Sequence, residues 1–449
     1  MLKKLLFSLF LLTSTIQAQT YVKGKINASN DIGNWAILYQ LKGVKQVYIK
    51  NDTIANGAFK IDFPENASKG MYRIFYDMKN EKFIDFIYNN EIIELFFDAT
   101  NPYESLQFSI SEENKAYRKY ILETNATKRE LDSLQVVYFK IEDEKQKEII
   151  GIQYAATRKI YDQIQSQHEK KSSDKLANHY IKASRKYYAP GIIGTAQEFL
   201  NSEKQHYFDF IDFNDNALIF STFLSEKVMD YIFYLNISED IEVQNALYKR
   251  AVNEVMQKIG NNTYIKSELL TLMLVTFAQA KNITLTDYLV DEFYNKLPGE
   301  YKNKETLDRI QSSLKLAVGR KAPEITWNEN GKMKKLSEFN ESDRYILVFW
   351  STSCPHCLKE IPMLYEFTKD NSGIHVFAIA LEDNEKEFNK YALDLANWTH
   401  ILGLEKWENS IALEYKITST PSYFVLDATK KIISKPEFLE NVKLFLENE

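Results

Sequence analysis

The chain has 449 residues, of which 45% are hydrophobic and 26% are charged, so its composition is that of a globular protein with two or three domains. Such a composition excludes a largely disordered chain. The formal net charge is -6, and basic residues are interspersed with acidic ones, which argues against a broad nucleic-acid-binding surface. No nucleic-acid partner is therefore expected.

The N-terminal segment has the three parts of a secretory signal peptide. Lys3 and Lys4 precede an apolar run, Leu5–Leu12, and a more polar stretch leads to Ala18, after which we expect cleavage. The apolar run is far shorter than the ~20 residues that a bilayer-spanning helix needs. The sequence therefore predicts a signal peptide at residues 1–18 and an exported protein of the periplasm or cell envelope, soluble once this segment is removed.

Residues 19–110 contain short runs of alternating hydrophobicity, separated by turn-prone pairs such as Asn56-Gly57. This pattern is typical of a small antiparallel β domain, most simply a sandwich. The predicted strands are Val22–Ile26, Trp35–Gln40, Gln46–Ile49, Ala58–Phe63, Met71–Tyr76, Phe83–Tyr88 and Ile92–Phe97. No catalytic constellation stands out among them.

Residues 111–316 are predicted to be all α. Ser111–Gln167 is polar, with apolar residues at helical spacing, as expected of a helical hairpin or a projecting arm. Pro190-Gly191 interrupts the helical pattern, and no convincing repeat period appears, although the succession of helices leaves a solenoid open. The later predicted helices are Ala217–Tyr234, Val243–Ile259, Lys266–Ala280 and Thr286–Lys296.

Residues 317–449 alternate between strand and helix patterns. Arg344–Trp350 is a nearly continuous apolar run, as expected for a central strand that is covered on both faces. The elements predicted after it are a helix at Cys357–Asp370, a strand at Ile374–Leu381, helices at Glu385–Ala396 and Asn409–Tyr415, antiparallel strands at Ser422–Leu426 and Lys431–Ser434, and a helix at Pro436–Glu447.

The only two cysteines, Cys354 and Cys357, form a Cys-Pro-His-Cys motif between a buried strand and a helix. A sulfur in the first helical turn faces unpaired backbone N–H groups and the positive end of the helix dipole, which lowers the pKa of Cys354 below the ~8.5 of a free cysteine. Pro355 suits the first helical position, and His356, when protonated, would add a positive charge beside Cys354. Cys357 lies one turn inward and is expected to act as the resolving thiol.

The alternative for a CxxC pair is half of a zinc site, which needs two further Cys or His ligands. No other cysteine exists, and the six histidines include no HxxxH pair, so the redox interpretation is favoured. No metal and no cofactor is expected, apart from a redox-active disulfide between Cys354 and Cys357.

Two further positions are predicted to support the dithiol. Thr420-Pro421 precedes a strand, where a cis-proline would present its preceding backbone to the sulfurs, although a trans proline at a strand edge is the ordinary alternative. Glu360 follows Cys357 by three residues and is either a solvated charge or a partly buried carboxylate that tunes proton transfer. Pro362 would kink the same helix.

The segment from Val348 to Pro362, with the letters VFWSTSCPHCLKEIP, resembles the active-site segment of the TlpA/ResA-like thioredoxins. Ser419–Asp427 is similar to the cis-proline strand of that family, and the resemblance covers residues 318–449. It implies a thioredoxin-like α/β fold and periplasmic thiol–disulfide exchange, with Cys354 as nucleophile, Cys357 as resolving cysteine and Pro421 in cis. It also places the carboxylate of Glu360 near the dithiol.

Residues 19–110 resemble, by strand pattern and domain order, the β-rich module of unknown function that precedes thioredoxin domains in exported Bacteroidetes proteins. The expected fold class is therefore multidomain, with an N-terminal antiparallel β domain, a central all-α region and a C-terminal α/β thioredoxin-like domain. The domain ranges are 19–110, 111–316 and 317–449. The expected partners are protein thiols and disulfides, together with a membrane or periplasmic redox partner. A homodimer through the front domains is a further expectation.

The direction of electron flow is left open by the residues themselves. Val348 stands where cytoplasmic thioredoxins carry a buried aspartate, and the Pro-His dipeptide is that of oxidising DsbA-type proteins, whereas the surrounding domain resembles reductants. A reductant is the first expectation. The alternatives are a docking or scaffold protein with an accessory redox domain, and a thiol peroxidase, although position 347 is Leu where a peroxidatic motif has Pro.

Overall fold

The computed structural model describes residues 19–27, 32–329 and 331–448, so the predicted signal peptide lies outside the described residues. Packing divides the chain into two compact units. The first runs to Met273 and includes Leu297–Tyr301, and the second comprises Leu274–Lys296 and Lys302–Glu449. The predicted ranges 19–110, 111–316 and 317–449 follow secondary structure, and the packing units cut across the second of these ranges.

The first unit begins with two four-stranded sheets that share one hydrophobic cluster, as the alternating pattern of this region predicts. The sheet orders are β4-β1-β7-β8 and β3-β2-β5-β6. The strands are β1 (Tyr21–Asn27), β2 (Trp35–Lys42), β3 (Lys45–Thr53), β4 (Ala58–Asp62), β5 (Gly70–Asp77), β6 (Lys82–Tyr88), β7 (Ile93–Asp98) and β8 (Gln107–Ile110).

All seven predicted strands of this region are present, and two details differ from the expectation. The pair β1 and β7 is parallel, whereas the other strand pairs of the two sheets are antiparallel. Strand β8 was not predicted. Its four residues are exposed or half-buried, so its sequence carries no alternation between buried and exposed positions.

The rest of the first unit is helical, and its two longest helices, α2 and α3, pack together as a hairpin around buried tyrosines such as Tyr154 and Tyr161. The side chains of Ser111 and Asp143 cap their N-termini. The helices are α1 (Pro102–Ser105), α2 (Glu112–Lys140), α3 (Glu144–Lys171), α4 (Ala177–Ala183), α5 (Ala196–His206), α6 (Asn216–Ile219), α7 (Phe223–Phe233), α8 (Ile241–Ile259), α9 (Thr263–Gln279), which continues into the second unit, and a 3₁₀ turn at Gly299–Tyr301.

The second unit contains a five-stranded sheet with the order β13-β12-β11-β14-β15. Its helices are α10 (Ile283–Glu292), α11 (Lys304–Leu314), α12 (Pro355–Thr368), α13 (Glu385–Asp394), α14 (Ser410–Glu414) and α15 (Leu439–Glu447), with 3₁₀ turns at Tyr294–Lys296, Leu336–Glu338 and Lys406–Glu408. Its strands are β9 (Thr326–Glu329), β10 (Lys332–Lys335), β11 (Arg344–Trp350), β12 (Ile374–Glu382), β13 (Thr399–Leu404), β14 (Ser422–Asp427) and β15 (Ile432–Ser434).

The central strand β11 is buried on both faces, which explains its nearly continuous apolar sequence. Tyr345, Leu347 and Phe349 belong to one hydrophobic cluster. The alternate residues Ile346, Val348 and Trp350 belong to a second cluster that includes Cys357. Helix α12 is thereby fixed to the face of the sheet that carries Val348.

Strand β13 corrects the predicted element order, which had no strand between the helix at Glu385–Ala396 and the one at Asn409–Tyr415. It pairs in parallel with β12 at the edge of the sheet. It has six residues and contains Gly403, at which an added Cβ would lie 3.0 Å from Leu381 Cδ2. A short edge strand with a glycine has a weak local signal, and only its pairing with β12 defines it. The β9–β10 hairpin was also not predicted.

The sheet register brings the two segments predicted to form the site together. Strand β11 ends at Trp350, shortly before α12, and β14 runs antiparallel to it with Phe349 opposite Ser422. The residues just before β14, Thr420 and Pro421, therefore lie beside the start of α12. None of the helices among the described residues is long and apolar enough to cross a membrane.

Candidate active site

Cys354 caps the N-terminus of α12 and is held by two contacts. Its Sγ accepts a hydrogen bond from the backbone N–H of Cys357, with a sulfur–nitrogen distance of 3.3 Å. Its thiol also donates to the backbone oxygen of Thr420, at 3.3 Å. Both cysteines are free thiols, Cys354 half-buried and Cys357 fully buried. The first sulfur is therefore accessible to a substrate and the second is shielded.

The two thiols differ in acidity because their surroundings differ. Burial by itself would raise the pKa of Cys354, but hydrogen bonding with Cys357 and Thr420 and from the backbone N–H of His356 outweighs it and lowers the pKa. At Cys357, burial and the hydrogen bond with Cys354 raise the pKa. Cys354 is therefore the more acidic thiol of the pair.

Pro355 and His356 occupy the first turn of α12 and are both exposed. Pro355 stands at the start of the helix, as predicted. The contribution of His356 to the lowered pKa of Cys354 comes through its backbone N–H. Sequence reasoning had assigned this effect to the charge of the imidazole.

The peptide bond between Thr420 and Pro421 is cis, as the sequence predicted. The backbone oxygen of Thr420, the residue before this proline, contacts Cys354 Sγ. The helix that carries the dithiol continues past Pro362 to Thr368.

Glu360 is half-buried, and its carboxylate accepts a hydrogen bond of 2.9 Å from the hydroxyl of Tyr423. Tyr423 is 3% exposed. Burial, the hydrogen bond to Glu360 and the charges of Glu360 and both cysteines raise the pKa of Tyr423, so its hydroxyl stays protonated and donates. Tyr423 was not among the predicted site residues. Its position two residues after Pro421 was the available signal, because alternate residues of a strand share a face.

A second residue that sequence reasoning missed is Glu382, at the end of β12. It is 5% exposed, and its carboxylate accepts a hydrogen bond from the backbone N–H of Thr352. In the same loop, the hydroxyls of Ser351 and Ser353 are 2.9 Å apart, and the N–H of Cys354 donates to the oxygen of Ser351 at 3.1 Å. Glu382 therefore helps to position the loop that leads into the dithiol.

No group of three or more His, Cys, Asp or Glu residues suited to a metal ion occurs within the part of the chain that the structure describes. The dithiol accordingly has no additional ligand set around it among those residues.

The dithiol lies at the start of α12, shortly after the central strand β11, and faces the cis-proline that precedes β14. This arrangement defines the fold of the second unit as thioredoxin-like. Residues 318–435 match the model of the AhpC/TSA family. The C-terminal part of the chain is therefore similar to the AhpC/TSA family.

Solved structures with similarity to this chain cover less than a third of it. A domain of a possible thiol-disulfide isomerase from Cytophaga hutchinsonii is 31% identical, with 30% of this chain and 92% of that chain covered and a TM-score of 0.27. The thioredoxin domain of a thiol-disulfide oxidoreductase from Bacteroides vulgatus is 28% identical, with 29% and 98% covered and a TM-score of 0.25. No curated protein matches the chain.

The acidities of the two cysteines predict selective alkylation of the reduced protein. At pH 7, iodoacetamide should label Cys354 faster than Cys357 by on the order of tenfold or more, because only the thiolate reacts. The labelling rate of Cys354 should rise with pH through a midpoint below the ~8.5 of a free cysteine. Mass spectrometry of timed, quenched samples measures both rates.

Unfolding the protein in guanidinium chloride provides the control, since the two cysteines should then react at similar rates. Equal labelling in the folded protein, or a midpoint at or above ~8.5 for Cys354, would contradict the assignment.

Proposed function

We propose that the protein is an exported thiol–disulfide oxidoreductase that acts on protein disulfides through Cys354 and Cys357, with the redox-active disulfide of this pair as its only redox group. The observation that carries the proposal is the asymmetry of the pair. The accessible Cys354 has a lowered pKa and lies against Thr420, whereas Cys357 is buried and has a raised pKa. Two-step exchange requires one thiol that attacks the substrate disulfide and a second thiol that resolves the mixed disulfide.

In the proposed reaction the Cys354 thiolate attacks one sulfur of a substrate disulfide. The substrate S–S bond breaks, its second sulfur leaves and takes up a proton, and a mixed disulfide joins Cys354 to the substrate. Cys357 then loses its proton and attacks Cys354 Sγ, which releases the remaining substrate sulfur as a thiol. The substrate gains two electrons, and the enzyme ends with a Cys354–Cys357 disulfide that a separate membrane or periplasmic dithiol partner must reduce.

The sequence of residues 1–18 supports export to the periplasm or cell envelope. A dithiol there depends on a partner for its electrons, because disulfides form and persist in that compartment.

The dithiol is expected to be required for insulin reduction. With dithiothreitol as electron source, the full chain should accelerate insulin precipitation, and Cys354→Ser should lower the rate to the uncatalysed level because no nucleophile remains. Cys357→Ser should instead accumulate mixed disulfides with protein substrates, which non-reducing gels and mass spectrometry detect.

Lys332→Gln is a suitable control, since it changes an exposed side chain on β10, leaves both sulfurs in place and should keep full activity. Full activity of Cys354→Ser would refute the proposal. Peroxide consumption without insulin reduction would favour a thiol peroxidase, and the absence of any trapped substrate would favour a docking protein.

We propose that Glu360 accepts the proton of Cys357 in the second step. Cys357 has a raised pKa, so its deprotonation needs a base, and the half-buried carboxylate of Glu360 lies one turn further along α12. The hydroxyl of Tyr423 holds this carboxylate in place.

Glu360→Gln keeps an acceptor for Tyr423 but removes the base, so release of substrate from the mixed disulfide should slow on the order of 10²-fold at neutral pH. The loss should shrink as pH rises, because hydroxide then removes the proton. Rapid-mixing measurement of mixed-disulfide decay against pH tests this.

The matched control is Glu366→Gln on the same helix, whose carboxylate is 66% exposed and pairs with Lys369. It should change the decay rate by no more than about twofold. If Glu360→Gln and Glu366→Gln decay alike at every pH, Glu360 is not the proton acceptor.

We propose reduction as the physiological direction, in keeping with the resemblance of the domain to reductants. Hydrogen bonds that stabilise the Cys354 thiolate also stabilise the reduced pair, which moves the potential toward oxidising values. As a reductant, the protein should have a reduction potential closer to thioredoxin's ~-270 mV than to the ~-120 mV of DsbA. Because the Cys354 thiolate is stabilised, the potential should lie above the thioredoxin value. Equilibration with glutathione buffers measures it, and a value near ~-120 mV would make the protein an oxidant.

A further inference from the structure

A groove of about 310 Å³ opens beside the dithiol within the second unit. It begins at Pro421, the residue after Thr420, whose backbone oxygen contacts Cys354 Sγ. Its other walls come from Ser313 on α11 and from residues 435–437, which follow β15. A polypeptide joined to Cys354 would therefore have this groove within reach of the residues next to its reacting cysteine.

The groove carries a concentration of positive charge. Lys416 and Lys435 line it. After burial, the charges of Lys281 and Lys416 are what lower the pKa of Lys435, so each of these two ammonium groups lies within electrostatic reach of Lys435. The net charge of the chain is -6, so the charge of this cluster is opposite in sign to that of the whole protein.

These lysines have no carboxylate partner within ion-pair distance among the described residues, whereas several other cations of the same unit do. Arg320 pairs with Asp287, and Lys315 pairs with Glu414. Lys416 instead donates to the backbone oxygen of Ser312 at 2.8 Å, and the ammonium of Lys435 lies 5.2 Å from the ring centre of Phe424. Neither of these contacts neutralises the positive charge of the lysine.

One carboxylate, that of Glu437, also lines the groove. It offsets one of the two positive charges that line the groove, Lys416 and Lys435, so a positive charge remains there, with the charge of Lys281 within electrostatic reach of Lys435. An anionic ligand would relieve the mutual repulsion of these lysines, whereas a neutral or basic one would not.

We propose that this groove binds an acidic segment of the protein substrate, next to the cysteine that reacts with Cys354. The inference rests on the proposed oxidoreductase function and deepens it, because it assigns a substrate class. Substrates with Asp or Glu near the reacting disulfide are selected over neutral ones, and Lys416 and Lys435 act as specificity residues rather than catalytic ones. Part of the groove wall is α11, which precedes the region matched by the family model.

The test compares two peptide disulfides of equal length, one with Asp and Glu flanking the cysteine and one with Asn and Gln. The full chain should reduce the acidic peptide with a kcat/KM about fivefold higher, an effect of the size that a few partly exposed ion pairs produce. This preference should decline between 50 mM and 500 mM NaCl through screening.

The double variant Lys416→Gln/Lys435→Gln should lose the preference through a raised KM for the acidic peptide, so that the two peptides are reduced with similar kcat/KM values. Lys332→Gln/Lys443→Gln removes the same charge elsewhere in the unit and should keep the preference. Equal kcat/KM values for the two peptides in the unaltered protein, or a preference that survives in the groove variant, would overturn the proposal.

A binding measurement separates this proposal from the oxidoreductase function. Fluorescence anisotropy of a labelled acidic peptide, with Ser in place of Cys, reports the groove without any redox step. Salt-sensitive binding that the groove variant loses supports the acidic site even if no reduction occurs, in which case the oxidoreductase function alone fails. Equal binding of the acidic and neutral Ser peptides would overturn the site even if reduction proceeds.

Discussion

The hydrogen bond from the backbone N–H of Cys357 to Cys354 Sγ is the contact on which the chemistry depends. It places a sulfur at the helix position where Ser, Thr, Asp or Asn usually accept this bond. A thiolate accepts such bonds more strongly than a thiol, so the cap stabilises the charged form at the positive end of α12. It does so against the cost of burial, which by itself would raise the pKa of Cys354.

This hydrogen bond depends on the position of the start of α12, and the surroundings of the sulfur depend on the position of Thr420. The central sheet holds both. Strand β11 is packed in hydrophobic clusters on both faces, which fixes where α12 begins. From the other side, the antiparallel register between β11 and β14 brings the Thr420 oxygen to the sulfur. Tyr423, on the same strand, reaches Glu360 one helical turn beyond Cys357. The sheet register therefore sets the surroundings of both thiols.

The unit that holds the dithiol is larger than the region that matches the family model. Arg320 forms two hydrogen bonds with the Asp287 carboxylate, of 2.7 and 2.6 Å, which join the segment before the sheet to α10. Tyr415 donates to the Pro323 oxygen at 2.6 Å and anchors the same segment from the sheet side. Helices α10 and α11 are thus structural parts of the redox unit, and α11 supplies one wall of the groove beside Pro421.

The sequence by itself determined the features that depend on neighbouring residues. Alternation in residues 19–110, the apolar run of β11, the Cys-Pro-His-Cys motif at the start of α12 and the proline before β14 are all local signals, and each corresponds to an observed element. The edge strand β13, the contact between Tyr423 and Glu360 and the buried position of Glu382 were decided only by tertiary structure. The same is true of the cluster of Lys281, Lys416 and Lys435. These features join residues tens of positions apart, and sequence periodicity reports only which face a residue occupies, not which distant residue it meets there.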